Sequence, residues 1–283
     1  MVALGAVFGA LSGGVPAYAR EVSTAALVFA MTFSLTEVRF RGLSARTEAR
    51  AFTRAFALNY LVLTSLILAL APFYGDPAIR GGWVVMAAGP SAIAVIPLTA
   101  AFRGNVRTSL VSTAFLYVAA LALYPAITLA FAGQAVDVRE LGFQIVLQIA
   151  LPLAVSRPLA RSEALARRRP LLVNVSFFIL VFTLVGANRD VFVQDPRLIG
   201  ALAAGGFVRT WVLGFAIFAL SSRLGGDRAR RVSDTLFGSL KNLGLAALLA
   251  FSLFGAAAAL PAIVSLFFEI AWLLPMSRLF PAR

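Results

Sequence analysis

Lys241 is the only lysine in the chain, and it lies in DTLFGSLKNLGLAALL, a stretch from Asp234 to Leu249 that otherwise reads as a membrane span. An ammonium near mid-bilayer costs about 2.5 to 3.5 kcal/mol on insertion scales, so such a residue faces protein, water or a counter-charge and marks a functional site. Two further charges fall inside apolar runs. Arg209, in FVRTW, carries a forked guanidinium suited to carboxylate, phosphate or sulfonate. Glu269 is the one carboxylate well inside the last apolar run. Unpaired charges in hydrocarbon are expensive, so Glu269 is expected to pair with Lys241 or Arg209, leaving one positive charge over to attract an anion.

The elements that must hold these residues are transmembrane helices. The sequence is 60% hydrophobic and 13% charged, with 24 Phe among 283 residues, and its mean hydropathy is +0.90. Apolar runs near 20 residues match the hydrocarbon thickness, which makes the lipid bilayer the first partner. There is no His and no Cys, which removes imidazole and thiol chemistry, disulfides and the usual zinc and haem ligands. With no paired intramembrane carboxylates either, the chain reads as no enzyme and needs no cofactor. The net charge of +13 comes from arginines in short loops rather than from a basic face on a soluble fold, so nucleic acid is not the partner.

Ten apolar segments can be delimited: Val2 to Tyr18, Ser23 to Val38, Phe52 to Phe73, Gly81 to Ala101, Thr108 to Ala132, Leu141 to Val155, Leu171 to Ala187, Leu198 to Leu220, Val232 to Leu253, and Leu260 to Leu279. Their length and lack of period-two alternation favour helices over barrel strands. The first ends in Ala17-Tyr18-Ala19, which resembles a signal-peptide cleavage site, but no basic region precedes it and a first transmembrane helix is the reading taken. Arginines cluster after even segments: Arg39, Arg41, Arg46 and Arg50, then Arg103 and Arg107, then Arg157, Arg161, Arg167, Arg168 and Arg169, then Arg223, Arg228, Arg230 and Arg231, with Arg278 and Arg283 in the tail. Loops after odd segments hold only Arg20, Arg80, Arg139, Arg189 and Arg197. The even loops and both termini are therefore expected in the cytoplasm, with the protein in the plasma (inner) membrane.

Five crossings reverse the orientation of whatever follows, so two five-segment halves that share a fold form an inverted repeat. Their irregularities correspond. The fourth segment is broken by Pro90 and Pro97, and the ninth carries Gly238, Asn242 and Gly244. Paired interruptions of this kind point to a transporter binding site at the midplane, although Pro and Gly are in any case commoner in transmembrane helices than in soluble ones.

At these residues the chain resembles the bile acid:sodium symporter family. Ala30-Met31-Thr32-Phe33-Ser34-Leu35 followed by Arg39-Phe40 is similar to that family's second-segment stretch, and Gly89-Pro90-Ser91 stands where the family has C-P-G-G. Arg103-Gly104-Asn105, then Ser109 and Thr113, follow its next motifs, and Lys241-Asn242-Leu243-Gly244-Leu245-Ala246 resembles its Q-N-S-G-L-A. The resemblance implies ten transmembrane helices in two inverted repeats, 1–136 and 137–283. It implies a panel domain from segments one, two, six and seven, a core domain from three to five and eight to ten, and crossing, unwound fourth and ninth segments. It also implies inward transport of organic anions, usually driven by sodium, by alternating access.

The departures bear on sodium. The family's glutamate ligand falls on Phe237, its glutamine on Lys241 and its S-N pair on Val95 and Ile96, leaving Asn59, Ser109 and Thr113 as residual sodium-site candidates. A hard cation needs several oxygen donors, so no metal is expected and sodium coupling is read as lost or altered. Lys241 could replace sodium permanently, cycle a proton and so couple transport to protons, or meet the anionic substrate. Asn105, Ser109, Ser112 and Thr113 recur on one helical face, as a polar path or as helix glue. Asn174, Ser176, Thr183 and Asn188 are further polar candidates, and Trp83, Trp211 and Trp272 read as packing or interfacial anchors. The reading is therefore an all-α secondary transporter of a small organic anion, with Lys241, Asn242, Pro90, Ser91, Asn59, Ser109, Thr113, Arg209 and Glu269 as substrate or coupling residues. The alternatives are a conventional sodium symporter, or a channel or structural membrane protein. The sequence fixes no oligomeric state, and a monomer is compatible with it.

Overall fold

The computed structural model describes residues 1–37, 45–133 and 136–281, less the side chains of 45–48. Arg39, Phe40, Arg41 and Arg283, together with the side chain of Arg46, lie outside the described residues. Within them, every regular element is helical. In chain order these are α1 (Val2–Ser12), α2 (Pro16–Leu35), α3 (Ala49–Phe73), α4a (Pro77–Ala88), α4b (Val95–Ala101), α5 (Val106–Ala132), α6 (Val138–Leu159), α7 (Glu163–Gly186), α8 (Pro196–Arg223), α9a (Arg228–Ser239), α9b (Leu243–Phe254) and α10 (Ala256–Leu279), with a short helix, Arg189–Gln194, between α7 and α8.

Seven of these units are long and apolar enough to cross a membrane, eight if α1 and α2, bent by 116° at their junction, are one span. Of the ten expected segments, the third and the fifth to tenth meet this measure singly. α1 has only 11 residues, about 16 Å at 1.5 Å per residue. The fourth segment is interrupted at 89–94. There Gly89 turns extended (φ −64°, ψ 150°) ahead of Pro90, since a residue before proline is driven out of the helical region. The ninth breaks at Leu240, which is also extended (φ −115°, ψ 128°). The chain restarts at once because the Asn242 side chain accepts from Leu245 N and caps α9b.

The few acidic residues serve the same end. Asp76, Asp137, Asp195 and Asp227 each accept from the first-turn amides of α4a, α6, α8 and α9a, and Asn105 and Ser162 do so for α5 and α7. Each such cap contributes about 1 kcal/mol and fixes where a helix starts.

α1 packs on α7, α7 on α2, and α2 on α6, while α9 is wrapped by α3, α4a, α8 and α10. Of the α9 window 83% is buried, against 33–56% for the other spans, so α9 runs through the centre. Its second half also touches α2, α6 and α7, joining the two groups. The α1–α7 approach is close enough to require glycine, because a Cβ at Gly9 would lie 2.4 Å from the Phe182 carbonyl oxygen.

Candidate functional site

Lys241 occupies the break between α9a and α9b and turns its side chain into the protein, where it is 1% exposed. Its Nζ donates to Asn59 Oδ1 (3.1 Å), Thr64 Oγ1 (3.0 Å), the Ala87 carbonyl (3.0 Å) and the Gly89 carbonyl (2.6 Å). It also lies 4.9 Å from the centre of the Tyr60 ring, a cation–π distance. An ammonium has three protons, so four oxygens and a ring saturate it. The oxygens come from α3 and the end of α4a, so the charge pins the broken ninth segment to both.

Asn59 reaches this position from a π-helical turn, Ala57–Leu63. The i→i+5 bonding of such a turn brings residues five apart onto one face, which aligns Asn59 with Thr64. A second π-turn, Val208–Val212, carries Arg209.

Arg209 is fully buried. Its Nη2 donates to Glu269 Oε1 and to the Ser239 carbonyl (3.0 Å). The same carboxylate oxygen accepts from the backbone amide of Lys241 at 2.9 Å. Glu269 therefore pairs with Arg209 and touches Lys241 only through its main chain. The three charges leave one positive charge over, held inside the oxygen cage.

The two breaks meet directly, since Asn242 N donates to the Pro90 carbonyl at 2.9 Å. The Asn242 side chain donates to Tyr117 Oη at 2.6 Å, while Ser91 Oγ, fully buried beside Pro90, has no hydrogen-bond partner among the described residues. Next to this crossing lies a cavity of about 410 Å3, bounded by α2 and α7 on one side and by 92–98, 240–244 and α10 on the other. Its lining is mostly apolar, including Met31, Ile93, Phe177 and Ile270, with Ser34, Asn174 and Asn242 as polar points. Glu37 and Arg169, paired at 2.6 Å, also line it, as do Lys241 and Glu269.

Residues 2–279 match the model of the SBF-like CPA transporter family. The chain belongs to the SBF-like CPA transporter family. No curated protein compared with it matches. As a member of this transporter family with several apolar helices, it is a multi-pass membrane protein.

In this SBF-like chain the structure gathers Asn59, Pro90, Asn242, Arg209 and Glu269 around Lys241, and leaves two residual sodium-site candidates apart. Ser109 bonds instead with Thr99 Oγ1 (3.0 Å) and Ser233 Oγ (3.3 Å), and Thr113 Oγ1 is buried with no hydrogen-bond partner among the described residues. Asn174 lines the cavity, whereas Thr183, and Asn188 just past the end of α7, bond back to the Ile179 and Leu184 carbonyls of that helix. Trp83 and Trp272 are fully buried packing residues, and Trp211 Nε1 donates to the Phe268 carbonyl. Thr64, Tyr60 and the carbonyls of Ala87 and Gly89 were missed. The spacing of Asn59 and Thr64 was their one signal, and it has meaning only for a π-turn.

Proposed function

We propose that this SBF-like transporter moves a small organic anion by alternating access, without sodium, and that the Lys241 ammonium fills the place of a bound sodium ion. The observation that carries this is the cage of two side-chain and two main-chain oxygens around Nζ. That donor set suits a hard cation, and here the cation is covalently part of α9. In this reading α3–α5 and α8–α10 form a core domain, α1, α2, α6 and α7 form a panel, and 1–136 and 137–283 are inverted repeats with ten crossings. The arginine-rich loops and both termini face the cytoplasm of the inner membrane. Support comes from the transporter family, from the contact between the two broken segments at Pro90 and Asn242, and from a cavity between the two groups of helices. Broken helices meeting at mid-membrane are the recurrent setting of transporter sites. The net positive charge of Lys241, Arg209 and Glu269 favours an anion nearby.

A thermal-shift screen of cholate, pantoate, keto acids and sulfonates identifies the anion, since a ligand at about 100 times its Kd stabilises by about 2.7 kcal/mol. Uptake of that anion into proteoliposomes is then compared in sodium and in choline. Equal rates are expected. Collapse of uptake in choline establishes a conventional sodium symporter instead.

A further inference from the structure

The cavity beside the crossing has two cations in its lining, Lys241 and Arg169. Lys241 is already engaged, since its Nζ donates to four oxygens of α3 and the end of α4a. Glu269, also in the lining, is held by Arg209. Arg169, in the second turn of α7, meets Glu37 from Nη2 to Oε1 at 2.6 Å, and the two side chains are 25% and 26% exposed. A guanidinium has five donors, and one carboxylate does not fill them. An ion pair this open to solvent holds weakly, and a carboxylate or sulfonate arriving in the cavity competes for the same fork.

The pair also stands between two spaces. A second cavity of about 430 Å3 lies among the ends of α2 and α6, α4b, and the starts of α5 and α7, at the arginine-rich face. Glu37, Pro97 and Arg169 line both cavities, so the ion pair and the first turn of α4b form the neck between them. Inward from the neck, Arg169, Val173 and Phe177 follow along one face of α7 at i, i+4 and i+8, about 12 Å in all. Phe177 reaches the crossing, where a Cβ added at Gly244 would lie 3.0 Å from its ring. An acid held at Arg169 therefore lays its apolar body along Val173 and Phe177 toward the broken helices.

We infer that Arg169 is the residue that takes the substrate's acidic group, and that Glu37 is a tethered stand-in that fills this place while the cavity is empty. The inference rests on the anion-transport reading above. An incoming carboxylate or sulfonate displaces Glu37 from the guanidinium, with no covalent bond made or broken. Glu37 then turns toward the second cavity, which it already lines, and the neck beside Pro97 clears. When the anion leaves, Glu37 returns to Arg169 and the neck closes. A neutral solute of the same shape cannot compete with Glu37 for the charge, so the pair selects for an acid as well as binding it.

The chain has no cysteine, so Ser34→Cys, in the cavity lining three residues before Glu37, places a single thiol there. Its reaction with uncharged methyl methanethiosulfonate is timed in detergent, with benzenesulfonate as the protecting anion and benzenesulfonamide as its neutral counterpart. Benzenesulfonate is expected to protect the thiol and benzenesulfonamide not to. Glu37→Gln removes the competing charge and is expected to lower the half-protecting concentration by about tenfold. Arg169→Lys keeps the charge but loses the fork, and is expected to raise that concentration by about tenfold. Unchanged protection in Arg169→Lys, no gain in Glu37→Gln, or equal protection by the sulfonamide overturns the inference. Should Arg169→Lys not fold, Glu37→Gln decides alone. The thermal-shift screen asks whether any anion binds, and this experiment asks where. An anion that stabilises the chain while Glu37→Gln and Arg169→Lys leave protection unchanged therefore defeats this inference and leaves the transport reading standing.

Discussion

Asn242 N donates to the Pro90 carbonyl at 2.9 Å, so the breaks in the fourth and ninth segments are closed on each other rather than on water. Pro90 has no amide proton to offer, and its carbonyl, freed from any helix, needs a donor at this depth. Asn242 supplies one because its own helix has just ended. Lys241, one residue earlier, satisfies the Ala87 and Gly89 carbonyls in the same way. Each interruption thus completes the hydrogen bonding of the other.

Removing the ammonium vacates a ready-made cation site. Lys241→Ala is expected to lower thermal stability and to gain a sodium-dependent rise in melting temperature that is absent in choline. The wild type should show no such difference. A sodium titration followed by differential scanning fluorimetry checks this, and a Lys241→Ala chain indifferent to sodium would contradict the proposed cation replacement.

Glu269→Gln leaves the buried guanidinium of Arg209 without its carboxylate, and breaking such a pair by one partner costs about 3 to 5 kcal/mol. The double variant Arg209→Met with Glu269→Gln should be less damaging than either single change. A double-mutant cycle in denaturant measures the coupling.

Tyr117→Phe leaves the Asn242 side-chain amide only the Met31 sulfur at 3.2 Å as acceptor and is expected to cost about 1 to 3 kcal/mol. Asn242→Ala removes the α9b cap as well and should be worse. Thermal melts of the two variants side by side decide the order.

Gly9→Leu must push α1 off α7, because even a Cβ at Gly9 meets the Phe182 carbonyl oxygen at 2.4 Å. A loss of at least about 1 to 3 kcal/mol is expected from overpacking. Gly142→Ala in α6, with nothing within 4 Å of the added Cβ, should be neutral or slightly stabilising in the same melts.

Much of the site was legible from chemistry alone. A sole lysine amid apolar residues had to find oxygen, and Glu269 had to find a cation, because hydrocarbon gives a charge no alternative. Pro90 and Pro97 read as interrupting the fourth segment, and Gly238, Asn242 and Gly244 as marking the ninth. The breaks fall at 89–94 and at Leu240, while Pro97 sits in the first turn of α4b and Gly238 and Gly244 are helical. Which cation Glu269 takes was open, and the fold assigns it to Arg209 because the Lys241 side chain is turned toward α3 and α4a while only its amide faces α10. Ser109 and Thr113 were rightly placed on one face of α5 by their period. Period says nothing of the partner helix, and Ser109 meets Thr99 and Ser233 instead of a cation.

By itself, then, the sequence determined that this protein lives in a membrane, that it holds a costly buried charge, and in which two segments an interruption was to be sought. These follow from composition and from the local stereochemistry of proline and of the asparagine cap, which act within a few residues. Only the tertiary structure decided what the charge touches. Thr64 joins Asn59 through a π-turn, and main-chain carbonyls, identical in every residue, become ligands only when two broken helices are brought within 3 Å of one ammonium.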